Sequence, residues 1–184
     1  HELNDTVLAA SNIIIALQQV VSRRRNPFQP MTLSFGKFIA DGATNVIPSE
    51  VVLAGSLRCM DETERQKMLA IIPQIIEFTA AAYGCTAKVN IPNGYPSTTS
   101  HPEITEKIRA QAVEFLGEAN VLEYPKRMTA EDFGFFTLQY PCCFYRFGVT
   151  DENGTCGKLH SSTFLINEES LKTASSLFAF IVLD

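Results

Sequence analysis

The sequence predicts an α/β chain of the α+β kind, organised in two parts. Three observations predict it. Over residues 5–91 the apolar pattern runs from helical spacing to alternation, repeats the alternation, and returns through helical spacing to a third alternating stretch. A Pro/Ser/Thr-rich segment, Asn93–Pro102, then breaks the pattern. A second set of helical and apolar stretches follows it. The first set reads helix, strand, strand, helix, strand. One strand supplied before His1 would make it the βαββαβ order of a ferredoxin-like unit. The predicted division is residues 1–94 and residues 95–184.

Asp5–Val21 carries Val7, Ala10, Ile14, Leu17 and Val21 at helical spacing, and Asn26-Pro27 ends the helix. Met31–Ile39 reads as a strand whose pattern breaks at Gly36. Val51–Arg58 reads as the next strand, with Val51, Leu53 and Leu57 on one face and Ser56 and Arg58 on the other. Asp61 and Glu64 form a capping-box pair for a helix bearing Met68, Ile72, Ile75 and Ile76. Pro73 should kink that helix, and Gly84 suits the position just past its end. Ala87, Val89 and Ile91 alternate as a third strand. A first strand absent from the sheet would leave an unpaired edge.

In the second part, Pro102 fits the first turn of a helix with Ile104, Ile108 and Phe115, closed by Gly117. Val121-Leu122 and Cys142–Val149 are strand candidates. Thr129 is placed to cap a short helix beginning at Glu131 and Asp132. Asn167 is placed to cap the last helix, with Leu171, Leu177, Phe178 and Ile181 toward a core.

Composition excludes several function classes. At 184 residues, 46% hydrophobic and 19% charged, the chain can bury a real core. A net charge of −5 argues against a broad nucleic-acid surface. The basic run Arg23-Arg24-Arg25 sits at a helix end, where cations complement the dipole, with a surface contact patch as the alternative. Five cysteines, an odd number without a CxxC pair, argue against a disulfide framework and a structural zinc knot. A reducing cytoplasm fits them. No signal peptide and no uninterrupted apolar run of membrane length stands out, so no membrane partner is expected.

Three segments carry a specific likeness. Gly42–Arg58 reads Gly-Ala-Thr-Asn-Val-Ile-Pro-Ser-Glu-Val-Val-Leu-Ala-Gly-Ser-Leu-Arg. Thr129-Ala130-Glu131-Asp132-Phe133 and Lys158-Leu159-His160-Ser161-Ser162 follow it. In this order they resemble the M20 family of metal-dependent amidohydrolases and peptidases, in particular its hippurate hydrolases and N-acyl amino acid amidohydrolases. The resemblance implies a ferredoxin-like lid, which dimerises in many members, followed by the C-terminal part of an α/β metallohydrolase domain. It also implies that a preceding portion supplies most metal ligands and a glutamate base. The chain is therefore expected to be inert alone. In the intact enzyme, metal-activated water would hydrolyse the amide of an N-acyl amino acid. A peptidase acting on dipeptides and a non-catalytic dimerisation module are the rival readings.

The resemblance assigns roles to three residues. His160 would ligate one ion of a divalent pair, with zinc, manganese, cobalt or nickel all suited to imidazole; the competing role is a surface-loop histidine. Arg58 would grip the substrate carboxylate through its fork of donors, or else be a solvated strand-end residue. Asn45 would line the substrate pocket, or else bond its own turn. Glu131 and Asp132 receive no role, because adjacent helical residues diverge. His1 does not match the family's lid histidine by spacing, and His101 is placed at a helix cap.

Overall fold

The computed structural model describes residues 1–150, 154 and 156–183. The chain divides into two units. Unit 1 comprises His1–Ser97 with Arg127–Glu131, and unit 2 comprises Thr98–Lys126 with Asp132–Asp184.

Unit 1 begins with α1 (Thr6–Gln19), capped by Asp5, whose carboxylate accepts the Leu8 N–H at 2.8 Å. The helix continues through a π turn at Val20–Arg24. There Arg25 caps the open end: Nε donates to Val21 O at 2.8 Å and Nη1 to Gln29 O at 3.0 Å. The buried stripe is Ala9, Ala10, Ile13, Leu17 and Val20. It is rotated from the expected one, with Ile13 and Val20 deeper than Ile14 and Val21. Consecutive apolar residues allow either choice, and packing against the next helix decides. Thr6–Arg24, 19 residues, is long and apolar enough by length and composition to span a bilayer, although its buried stripe lies in the core of unit 1.

Strands β1 (Met31–Ile39) and β2 (Val52–Cys59) form an antiparallel hairpin. Met31 pairs with Cys59 at one end and Ile39 with Val52 at the other, and the register shifts between Phe35 and Lys37. Gly36 is therefore a bulge, the reason its strand pattern breaks. Leu33, Phe35, Leu53, Leu57 and Cys59 face the core, while Ser56 and Arg58 face away.

Helix α2 (Glu62–Ala82) runs through Pro73. Asp61 accepts the Glu64 N–H at 2.8 Å, the first half of the expected box. The reciprocal half does not form: Glu64 instead accepts the Asn26 N–H at 3.0 Å, across the unit. Gly84, at φ +68°, closes the helix. Its N–H donates to Ala81 O and that of Cys85 to Ala80 O, each at 3.0 Å, a Schellman pair requiring the left-handed conformation. Leu17, Val20, Met68 and Ile72 form the centre of the core, beneath the hairpin.

Three expected strands do not form. Ala87–Ile91 lies against α2, where Val89 and Ile91 face Leu69 and Pro73 across an open groove of about 400 Å³, but it joins no ladder. In a split βαββαβ sheet this strand pairs with the first strand of the unit, and the described residues hold no such partner for it. Cys142–Val149 likewise has no ladder partner among the described residues, although its ends are tied down. Val121-Leu122 is also unpaired, and Leu122 is exposed.

In unit 2, α3 (Pro102–Leu116) starts with Pro102 and ends at Gly117. Helix α4 is short (Gly134–Thr137) and α5 spans Glu169–Leu183. Helix α4 starts later than expected, with Phe133 rather than Thr129 at its cap position. Asn167 Oδ1 accepts the Glu169 N–H at 3.1 Å and caps α5. The core face of α5 differs from the expected one: Leu177 is buried, but Leu171 and Phe178 are exposed. The helix packs along one side only, where α3 lies and Phe180 meets Phe115 with ring centroids 5.4 Å apart.

Candidate functional site

The loop joining β1 to β2 presents Asn45. Ala43 and Val46 exchange hydrogen bonds at 3.0 and 3.1 Å, with Asn45 in the turn between them. A side chain at Gly42 would strike the Val46 carbonyl and the Pro48 ring, so the loop folds back only over a glycine. Thr6 Oγ1 donates to Pro48 O at 2.6 Å and ties the loop to α1. Asn45 is exposed, and its side chain makes no hydrogen bond among the described residues. The local turn bond it could have made is absent, so its amide is free for another partner.

Arg58 lies at the other end of the same hairpin, opposite Thr32. From Val52 to Arg58 is a rise of about 20 Å at the usual strand spacing. Asn45 thus belongs to the loop at the Val52 end of the hairpin, and Arg58 to the opposite end of β2. Arg58 is exposed, and Nη1 donates to Met128 O at 2.7 Å in the returning segment Arg127–Glu131. The rest of the fork is uncommitted.

Beside Arg58 is a charged cluster that the sequence reading missed. The Glu62 carboxylate accepts from Arg65 Nε at 2.8 Å, Arg65 Nη2 at 2.7 Å, Gln66 Nε2 at 2.8 Å and the Ser97 N–H at 2.9 Å. Arg65 is buried and also donates from Nη1 to Asn93 O at 2.7 Å. The i,i+3 spacing of Glu62 and Arg65 was the available signal; Asn93 and Ser97 are too distant in sequence to suggest themselves. Burial alone would raise the Glu62 carboxyl, but the bonds from Arg65, Gln66 and Ser97 outweigh it and hold it below its ordinary value. A depressed folded-state value means that the ionised group stabilises the fold above the ordinary glutamate range. That contribution is lost as pH falls through the depressed value. Acid titration should therefore destabilise wild type more than Glu62→Gln, while the two converge below that value. Urea midpoints measured from about pH 6 to pH 3, spanning the ordinary carboxylate range, test this, and parallel curves would contradict it.

Cys59, next to Arg58, is held above its ordinary thiol value, chiefly by burial, with the Asp61 and Glu64 charges adding to it against backbone hydrogen bonds. It is a protonated, packed thiol at neutral pH rather than a nucleophile.

His160 belongs to unit 2. It sits in a turn between Lys158 and Ser161, where the Ser161 N–H and Oγ both bond Lys158 O, at 3.2 and 2.7 Å. Among the described residues it is the one non-glycine with positive φ, at +63°. An L-residue pays roughly 1–2 kcal/mol for that conformation, and such strain gathers at functional positions. The ring is exposed and makes no hydrogen bond among the described residues, so either nitrogen can accept a metal. Among the described residues no group of three or more His, Cys, Asp or Glu gathers. His160 thus suits one position of a ligand set, and the described residues do not complete that set.

The remaining candidates are dispersed. Glu131 is half-buried in unit 1, and Asp132 belongs to unit 2 in the turn before α4. His1 is exposed beside Glu2. His101 stands at the α3 cap position, its N–H donating to Cys142 O at 2.8 Å and its Nδ1 buried without a partner.

Residues 8–184 match the profile of peptidase family M20/M25/M40. The Bacillus subtilis protein YhaA, named as an amidohydrolase, is 31% identical over 180 residues, which cover 97% of this chain and 46% of that protein. N-acetyldiaminopimelate deacetylase of Bacillus pumilus is 31% identical, covering 95% of this chain and 45% of that protein. IAA-amino acid hydrolase ILR1-like 6 of Arabidopsis thaliana is 30% identical, covering 95% and 39%. The crystal structure of an aminohydrolase from Staphylococcus aureus superposes with a TM-score of 0.77 at 30% identity, over 98% of this chain and 46% of that one. The chain spans less than half the length of these relatives. With the profile matched over nearly all its residues, the chain belongs to peptidase family M20/M25/M40.

Proposed function

We propose that this chain is part of a metal-dependent amidohydrolase that cleaves the amide bond of N-acyl amino acids, hippurate-like compounds or related small conjugates. Relatives named for hydrolysing IAA-amino acids and for deacetylating N-acetyldiaminopimelate support that substrate class. The observation that carries the reading is His160: an unbonded, exposed imidazole held at a costly positive φ within the Lys158–Ser162 motif. A divalent metal, when bound, would polarise the amide carbonyl and acidify a water. His160 would supply one nitrogen ligand to it, and zinc, manganese, cobalt and nickel all suit that donor. Catalytic metal sites take about three protein ligands, so the 184 residues alone are expected to be inactive.

Arg58 takes the substrate carboxylate through the fork nitrogens that Met128 leaves open. Asn45 offers its free amide to a substrate oxygen. Asn45 lies in the loop at one end of the hairpin and Arg58 at the other end of β2, which favours a pocket that draws them from two copies of the chain. That separation supports a homodimer formed through unit 1. Five free thiols favour the reducing cytoplasm.

Replacing Arg58 tests the reading. In the full-length protein, Arg58→Ala should raise KM for an N-acyl amino acid about ten- to hundredfold, the ~1.5–3 kcal/mol of a hydrogen bond to a charged group. The corresponding carboxamide should change by no more than about threefold, since it offers only a neutral acceptor. Metal content should stay. Equal losses for acid and amide would remove Arg58 from carboxylate recognition.

A further inference from the structure

We propose that Ser161 is a positioning residue for His160, its hydroxyl locking the Lys158–Ser161 turn in the form that presents the imidazole to a metal. The inference rests on the ligand role given to His160 above. Lys158 O accepts the Ser161 N–H at 3.2 Å and closes a β-turn. His160 is the third residue of that turn and the one in it with positive φ. This is the type II pattern, whose third position favours glycine. A histidine there carries a backbone cost, and a 3.2 Å bond lies at the long end of the usual range. The hydroxyl adds the missing hold. Ser161 Oγ donates to the same Lys158 O at 2.7 Å. Its one proton is then committed, so in the 3.0 Å contact between Ser161 Oγ and Thr163 Oγ1 the donor is Thr163.

The turn is the tip of a closed loop. The Leu165 N–H donates to Cys156 O at 3.0 Å, and the Phe164 N–H to Ser161 O at 3.2 Å. Gly157, at φ +67°, lies so close to Thr163 that a side chain there would strike the Thr163 carbonyl. Past the loop, the Asn167 N–H donates to Val149 O at 2.8 Å, directly before α5. The arms of the loop are thus fixed by backbone bonds and one tight glycine contact. At the tip, among the described residues, the side-chain bonds run from Thr163 to Ser161 and from Ser161 to Lys158 O. None of them reaches the His160 ring, so Ser161 acts on the backbone and leaves the imidazole nitrogens open. Strained conformations persist only where their surroundings over-determine them. Without the hydroxyl, His160 is free to relax to negative φ, which swings its ring away from the position the loop gives it.

Zinc affinity of the full-length protein, measured by competition with a chromogenic chelator, tests the proposal independently of turnover. Ser161→Ala should weaken binding about ten- to hundredfold, the range for residues that orient a metal ligand. Its urea midpoint should stay at the wild-type value, because the side chain is exposed. Ser161→Thr keeps the hydroxyl and should bind within about twofold of wild type. Thr163→Val removes only the outer bond and should weaken binding about threefold; it serves as the second variant where Ser161→Ala fails to fold. In a His160→Ala background, Ser161→Ala should add less than about twofold, since no imidazole is left to position. Three results overturn the proposal while leaving the ligand role intact: His160→Ala weakens zinc binding but Ser161→Ala does not, Ser161→Ala weakens it equally with and without His160, or Ser161→Thr binds as poorly as Ser161→Ala. Unchanged zinc affinity in His160→Ala overturns the ligand role itself, and the positioning role with it.

Discussion

His160→Ala in the full-length protein is expected to lower metal content and cut turnover by at least about a hundredfold. Loss of a group that merely orients a metal ligand already costs about 10–100-fold, and here a ligand itself is removed. The fold should hardly notice, since the side chain is exposed and unbonded. His160→Gly makes a sharper comparison. Glycine accepts the +63° backbone freely, so this variant should match or exceed wild type in stability by up to about 1 kcal/mol while showing the same loss of metal. A histidine kept where glycine would be more stable is explained by ligation. Full metal occupancy and normal turnover in both variants would remove His160 from the centre.

Met68→Ala should give the largest stability loss in unit 1. Met68 is fully buried, in the core cluster that also holds Leu17, Val20 and Ile72, and these come from both helices beneath the hairpin. Truncation leaves a cavity that neighbours on three elements cannot all collapse into. The expected cost is about 2–5 kcal/mol, read as a fall in the urea midpoint of unit 1. Met68→Leu nearly conserves volume and should cost less than about 1.5 kcal/mol. Leu8→Ala, on the exposed side of α1, should change little. A Met68→Ala midpoint within error of wild type would mean that the core is centred elsewhere.

Features set by a few adjacent residues were legible in the sequence. Asp61 and Asn167 bond the helix starts they precede, Gly84 and Gly117 close α2 and α3, and Pro102 opens α3. The bulge at Gly36 and the inward face of β2 follow from alternation. What failed was non-local. A strand exists by pairing, so Ala87–Ile91 and Cys142–Val149 can be extended and apolar yet join no ladder. The capping box failed because Glu64 found Asn26, remote in sequence. The α5 face differs because Leu171 and Phe178 have helical spacing but remain more than half exposed. Of the site residues, the family motifs pointed to Asn45, Arg58 and His160 one at a time. The hairpin register that separates the first two, the bond from Arg58 to Met128 O and the positive φ of His160 all needed the fold.

The central claim is the chemistry of the whole enzyme, and turnover of paired substrates tests it most directly. The full-length protein should be assayed with N-acetyl, N-benzoyl and indole-acetyl amino acids beside dipeptides of the same C-terminal residue, before and after treatment with a chelator. The account predicts hydrolysis of at least one N-acyl amino acid in preference to every dipeptide, abolished by the chelator and restored by zinc, manganese, cobalt or nickel. Preferential cleavage of dipeptides, or N-acyl hydrolysis that survives complete removal of metal, would contradict it.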